Sequence, residues 1–141
     1  MPISDLAELL AEMRPELNPG RYAFVWVPAD AALDSRQVIA SVREAEGLSV
    51  VVPEQLALDA RLPIAFTAAW ITLTVHSDLE AVGLTAAFSR ALGEAGIPCN
   101  VVAGVHHDHL FVPVPLAQAA LEALRSLSRG GARRSASGGA A

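Results

Sequence analysis

Residues Ser77 to Thr85, SDLEAVGLT, combine the features of a carboxylate site. Ser77-Asp78-Leu79-Glu80 has the spacing of a capping box and predicts a helix starting there. The free amides of a helix's first turn, backed by the positive end of its dipole, attract a carboxylate. Gly83 falls in that turn and has no side chain to block a ligand approaching the backbone. The same spacing fits a plain capped helix with Gly83 packed against a neighbouring element. Glu80 can pair with a ligand ammonium, although the capping box makes the stronger claim on it.

A second cluster, His106-His107-Asp108-His109, invites a metal reading. In an extended strand His107 and His109 share a face that Asp108 cannot join. Structural zinc needs four ligands, so the run reads as a polar hairpin turn and no metal site is expected. Ser77 stands beside His76 and Asp78, but adjacent residues at a strand end do not form a Ser-His-Asp line. GxSxG, HExxH and GxGxxG patterns are absent. The expectation is a protein with no catalytic residues and no cofactor. A metal-dependent enzyme using the His106–His109 turn is the remote alternative.

Composition narrows the classes further. The chain has 141 residues, 52% hydrophobic and 18% charged, enough for one core and too apolar for a disordered protein. No apolar run reaches the roughly 18–20 residues of a membrane span, and the start of the chain reads as an amphipathic helix rather than a leader, so a cytoplasmic protein is expected. All ten basic residues are arginine, which excludes a lysine Schiff base, lysine-bound pyridoxal chemistry and a P-loop lysine. Up to Leu127 seven arginines face all fifteen acids, a net charge of −8 that disfavours nucleic acid. Arg129, Arg133 and Arg134 lie in a Gly/Ser/Ala-rich end that reads as a solvated, disordered tail. Cys99, the one cysteine, reads as a small core residue.

The elements that would position these residues follow from periodicity. Ser4 can cap a helix carrying Leu6, Leu9, Leu10 and Met13, stopped by Pro15. Tyr22–Val27 reads as a strand covered on both faces. Asp34 or Ser35 can cap a second helix with Val38, Ile39, Val42 and Ala45, ended by Gly47. Leu48–Val52 reads as a strand, 54–60 as a short helix and 62–69 as a linker. Trp70–Val75 reads as a strand with one face to the core. The helix beginning at Ser77 buries Ala81, Leu84, Phe88, Ala91, Leu92 and Ala95, and ends at Gly96 and Pro98. Cys99–Val105 and His109–Val114 read as a hairpin, and Pro115 opens a last helix. Strand–helix–strand thus occurs twice, the second time as βαββα. That is an α+β, ferredoxin-like plan whose second copy lacks a fourth strand, which the first half can supply.

PGRYAF at 19–24, VREAEGLSVVVP at 42–53, ITLTVHSDLEAVGLTAA at 71–87, and GIPCNVVAG with HDHLFVP at 96–113 resemble a family of small bacterial stand-alone proteins built from two tandem ACT-like units. The resemblance covers roughly residues 4–127. It implies an ACT-type, ferredoxin-like sandwich with an N-terminal half at 1–62, a C-terminal ACT domain at 63–127 and the tail at 128–141. It also implies a regulatory or sensor subunit that binds an amino acid or similar effector, usually at an interface between ACT units, and a homodimer. The effector contacts implied are Ser77, Leu79, Glu80, Ala81, Val82, Gly83, Leu84 and Thr85, with Asn100 and its neighbour Val101 on the following strand. An asparagine there can donate and accept at once, or it can bond its own backbone. A ligand-free protein-interaction module is the competing reading.

Overall fold

The computed structural model describes residues 5–75 and 81–138, with side chains described to residue 131. His76 and the capping box Ser77–Glu80 lie outside the described residues, as does Ser4. Asp5 caps helix α1 (Leu6–Glu12), its carboxylate accepting from the Glu8 amide at 2.9 Å. Strands β1 (Pro15–Leu17) and β2 (Tyr22–Val27) follow.

Where helical spacing predicts a helix over Val38–Ala45, the chain makes a single 3-10 turn at Ser35–Gln37, capped by Asp34, and then strand β3 (Ala40–Glu44). Four apolar residues fit either period. The hairpin to β4 (Gly47–Pro53) wins because every residue from Ala40 to Glu44 has a register partner on β4, which bonds the inward-facing backbone groups of this edge strand, while Ser41 to Glu44 stay exposed. The short helix α2 (Glu54–Asp59) forms as expected.

The expected linker 62–69 is instead the first half of strand β5 (Ile64–Leu73). Small residues there carry little strand signal of their own. They are set by their neighbours: Ala68 lies directly between Tyr22 on one side and Pro113 on the other. Helix α3 (Leu84–Glu94), strands β6 (Asn100–Ala103) and β7 (Asp108–Pro113), and helix α4 (Ala117–Gly138) complete the chain.

Among the described residues seven strands form one antiparallel sheet in the order β3-β4-β2-β5-β7-β6, with β1 also on β5. Two four-stranded units overlap in it. β3, β4, β2 and the first half of β5 make one. The second half of β5, β7 and β6 make the other, and its missing fourth strand is β1, supplied by the first half as the sequence suggested. One strand therefore serves both units.

Helices α1, α3 and α4 cover Ile71, Leu73, Leu110 and Val112, with Leu9, Leu10, Met13, Phe88 and Leu92 buried among them. α4 does not end at Leu127. Ser128 is buried and bonds the Met13 carbonyl at 3.1 Å, and Gly131 meets α1 so closely that a Cβ there would lie 2.4 Å from that of Leu10. A Gly/Ser-rich stretch that reads as tail is helical here because small residues let the two helices touch.

Candidate functional site

Gly83 is not inside the first turn of α3; it is the N-cap, with φ +104°. The helix starts at Leu84, seven residues after Ser77, and its first internal bond runs from the Ala87 amide to the Gly83 carbonyl at 2.9 Å. A residue in that left-handed conformation is glycine by steric necessity. A Cβ at 83 would lie 3.0 Å from Leu6 Cδ2, so the glycine also packs on α1. Both facts explain Gly83 without a ligand, and a side chain placed there would disturb the fold as well as any site. Among the described residues no side chain caps the first turn. Glycine offers no capping oxygen to the amides of Leu84, Thr85 and Ala86.

Of the other sequence-chosen residues, Val82 is 85% exposed and Thr85 is exposed, whereas Leu84 is buried in the helical core and Ala81 packs against it. Ser77, Leu79 and Glu80 lie outside the described residues. Asn100 stands directly opposite Phe111, on the sheet face away from α3, while Val101 is opposite Leu110 and packs into the helical core. The register sets Asn100 level with Trp70, three residues or about 10 Å along the strand from Leu73. One chain thus brings Ala81–Thr85 together and leaves Asn100 on the other side.

The histidine turn resolves into a tryptophan-anchored imidazole that the sequence reading passed over. Trp70 Nε1 donates to His109 Nδ1 at 3.1 Å, Thr72 Oγ1 lies 3.3 Å from the same nitrogen, and Asn18 Nδ2 donates to that hydroxyl at 2.9 Å. An indole N–H can only donate, so His109 Nδ1 accepts and the neutral ring carries its proton on Nε2. The available signal was the period of two: Trp70 and Thr72 point one way on β5, opposite Phe111 and His109. Among the described residues no group of three or more possible metal ligands occurs.

Burial holds the His109 imidazole below its ordinary pKa; the charge of His107 adds to this and Asp108 opposes it. Burial raises the Asp108 carboxyl, against the pull of His109 and His107. The signs differ. A histidine depressed in the folded state contributes stability that is complete above its unfolded pKa of about 6.5 and is lost as pH falls through the folded value. A raised aspartate gives the reverse, and only in the more acidic window above 3.8. Tm should therefore fall between about pH 7.5 and about pH 5.5, and His109→Gln should flatten that slope. An unchanged slope in the variant would refute the buried neutral imidazole. Burial likewise pushes the Cys99 thiol up to about 11, as suits a half-buried packing residue.

Among the described residues no helix lies over the face that carries His109. Six of the seven aromatic residues lie on it: Tyr22, Phe24, Trp26, Phe66, Trp70 and Phe111. The sheet curls here, so that β3 and β6, the ends of the strand order, both line an apolar cavity of about 240 Å³ with Phe24, Trp26 and Val51. Trp26 is half exposed at this cavity, its Nε1 donating to the Glu46 carbonyl at 3.0 Å.

This architecture matches known proteins in two registers. Residues 1–69 match one ACT domain model and residues 66–126 match another, so the two matches overlap inside β5. A Vibrio cholerae protein of unknown function, described as a possible transport protein, is 46% identical, with 87% of this chain and 95% of that one covered and a TM-score of 0.77. The chain belongs to the ACT-domain family. It is a tandem ACT protein whose two units share one antiparallel sheet. More distant ACT-like folds agree in shape alone. An Agrobacterium tumefaciens protein is 17% identical over 83% of this chain and 90% of its own, with a TM-score of 0.62. The regulatory subunit of aspartate kinase from Thermus flavus is 12% identical over 82% and 96%, with a TM-score of 0.55. No functionally curated protein matches this ACT chain. Among the described residues no helix is long and apolar enough to cross a membrane.

Proposed function

We propose that this tandem ACT protein is a cytoplasmic regulatory module that binds an amino acid or close analogue and catalyses no reaction itself. The observation that carries this reading is the first turn of α3. An eleven-residue helix opens from a glycine, with exposed Val82 and Thr85 beside amides that the glycine cannot cap. A ligand carboxylate fits those amides, and Ser77, Leu79 and Glu80 precede them in sequence as the source of contacts to the rest of the molecule. Asn100 joins such a site only from a second copy. That agrees with a homodimer in which the open edge of β6, paired here with β7 alone, finds a partner strand.

Thermal shift against a panel of amino acids tests the reading. Ligand at 100 times its dissociation constant should stabilise the protein by about 2.7 kcal/mol. Thr85→Asp supplies a resident carboxylate at an exposed first-turn position, which stabilises a helix by about 0.3–1 kcal/mol. The variant should melt at or slightly above the parent and lose the amino-acid response. A full response in Thr85→Asp would move the site elsewhere. A panel with no response at all would favour the ligand-free interaction module, for which exposed Trp26 and Val42 beside the β3 edge are the supporting feature.

A further inference from the structure

A second concavity, of about 280 Å³, lies where the end of α1 and the start of β1 meet α4. Arg14, Arg125 and Arg129 line it, and among the described residues no acidic one does. In a chain of net charge −5, three of ten arginines turned to one hollow is a local inversion of sign. Arg129 pairs with Glu122 at 2.9 Å, but that carboxylate is largely exposed and outside the hollow, so solvent screens it. Arg125 has no hydrogen-bond or ion-pair partner among the described residues.

The hollow is also held in shape. The Ser128 hydroxyl, 8% exposed, bonds the Met13 carbonyl and lies 3.3 Å from Arg14 Nη1, which it accepts. Arg14 Nη1 also donates to the carbonyls of Ala11 and Met13 at 2.8 and 2.9 Å. Three contacts therefore fix Arg14 through Nη1, and none of them uses Nη2 or Nε. Arg125 and Arg129 are one helical turn apart, about 5–6 Å between Cβ atoms, so two arginines of α4 line the hollow beside Arg14.

We propose that this hollow is a binding site for the phosphate group of a small phosphorylated molecule. A carboxylate satisfies one fork; a phosphate has oxygens for two or three, and its double charge offsets the mutual repulsion of the arginines. The acidic body of the protein disfavours a nucleic-acid backbone as the source of that phosphate. The site is separate from the first turn of α3, and its ligand is a different class from the amino acid proposed above.

The test is calorimetric titration of the full chain with inorganic phosphate, pyrophosphate and acetate at constant ionic strength. Phosphate and pyrophosphate should bind and acetate should not. Arg125→Gln and Arg129→Gln, both at exposed positions, should each weaken pyrophosphate binding roughly tenfold. Arg43→Gln, on β3, should bind like the parent. Thr85→Asp should also leave the phosphate response intact, which separates this site from the amino-acid reading. Absence of phosphate binding, acetate binding as well as phosphate, or equal affinity in the Arg125→Gln and Arg129→Gln variants would each overturn the proposal.

Discussion

Deleting residues 1–20 should leave the remaining chain without a cooperative thermal transition, although β5, β6, β7, α3 and α4 are all retained. The deleted segment carries β1, the fourth strand of the C-terminal unit, and α1, whose Leu9 and Leu10, with Met13 just beyond it, are fully buried. Each such side chain contributes roughly 1.5–3 kcal/mol on burial. Their joint loss is of the order of the whole stability of a small domain, about 5–15 kcal/mol. The cut also removes the Arg14 carbonyl, which accepts from the Thr74 amide at 2.8 Å, and the Asn18 amide, which donates to the Trp70 carbonyl at 2.8 Å. Loss of near-ultraviolet circular dichroism with retained far-ultraviolet signal is the expected outcome. A truncated chain that melts sharply would show that the C-terminal unit stands alone.

Phe111→Ala should cost about 3–5 kcal/mol, the range for removing a large aromatic from a packed core. Phe111 is fully buried on the face that no helix among the described residues covers. Its ring meets Phe24 edge-on at 5.3 Å and stacks near Trp70 at 6.2 Å, one residue from each unit. It thus joins the units through side chains as β5 joins them through backbone. Denaturant unfolding should keep a single transition in the parent and shift its midpoint down in the variant. Two separate transitions in the parent, or a cost below about 1 kcal/mol in the variant, would contradict a shared core.

The second half of the fold was legible because its signals agree with one another. Gly96 and Pro98 stop α3, Phe88 and Leu92 recur at helical spacing, and the alternation of Ile71, Leu73 and Val75 with Thr72 and Thr74 marks a strand with one face to the core. The first half misled where the signal was short or indirect. Val38, Ile39 and Val42 suit a helix as well as β3, and only the pairing of Ala40 to Glu44 with β4 decides between them. The alanines of β5 look like linker because their strand character resides in Tyr22 and Val112 across the ladder. Gly83 was legible as special but not as a left-handed N-cap on Leu6, since both the angle and the neighbour are tertiary facts. Asn100 shows the same limit. Its position at the start of β6 followed from sequence; the face it occupies depends on the register with Phe111. The Trp70–His109 bond joins residues thirty-nine apart, which local pattern alone cannot reach.

The most direct test of the regulatory reading is residue-resolved amide hydrogen exchange, with and without whichever amino acid of the panel raises Tm. If a ligand carboxylate sits on the first turn of α3, the amides of Leu84, Thr85 and Ala86 lack helical acceptors and should exchange fast in the free protein. They should be the most strongly protected on ligand addition, and Thr85→Asp should abolish that change. Protection confined to the aromatic face around Phe24, Trp26 and Val102, with the α3 amides unmoved, would contradict the assignment.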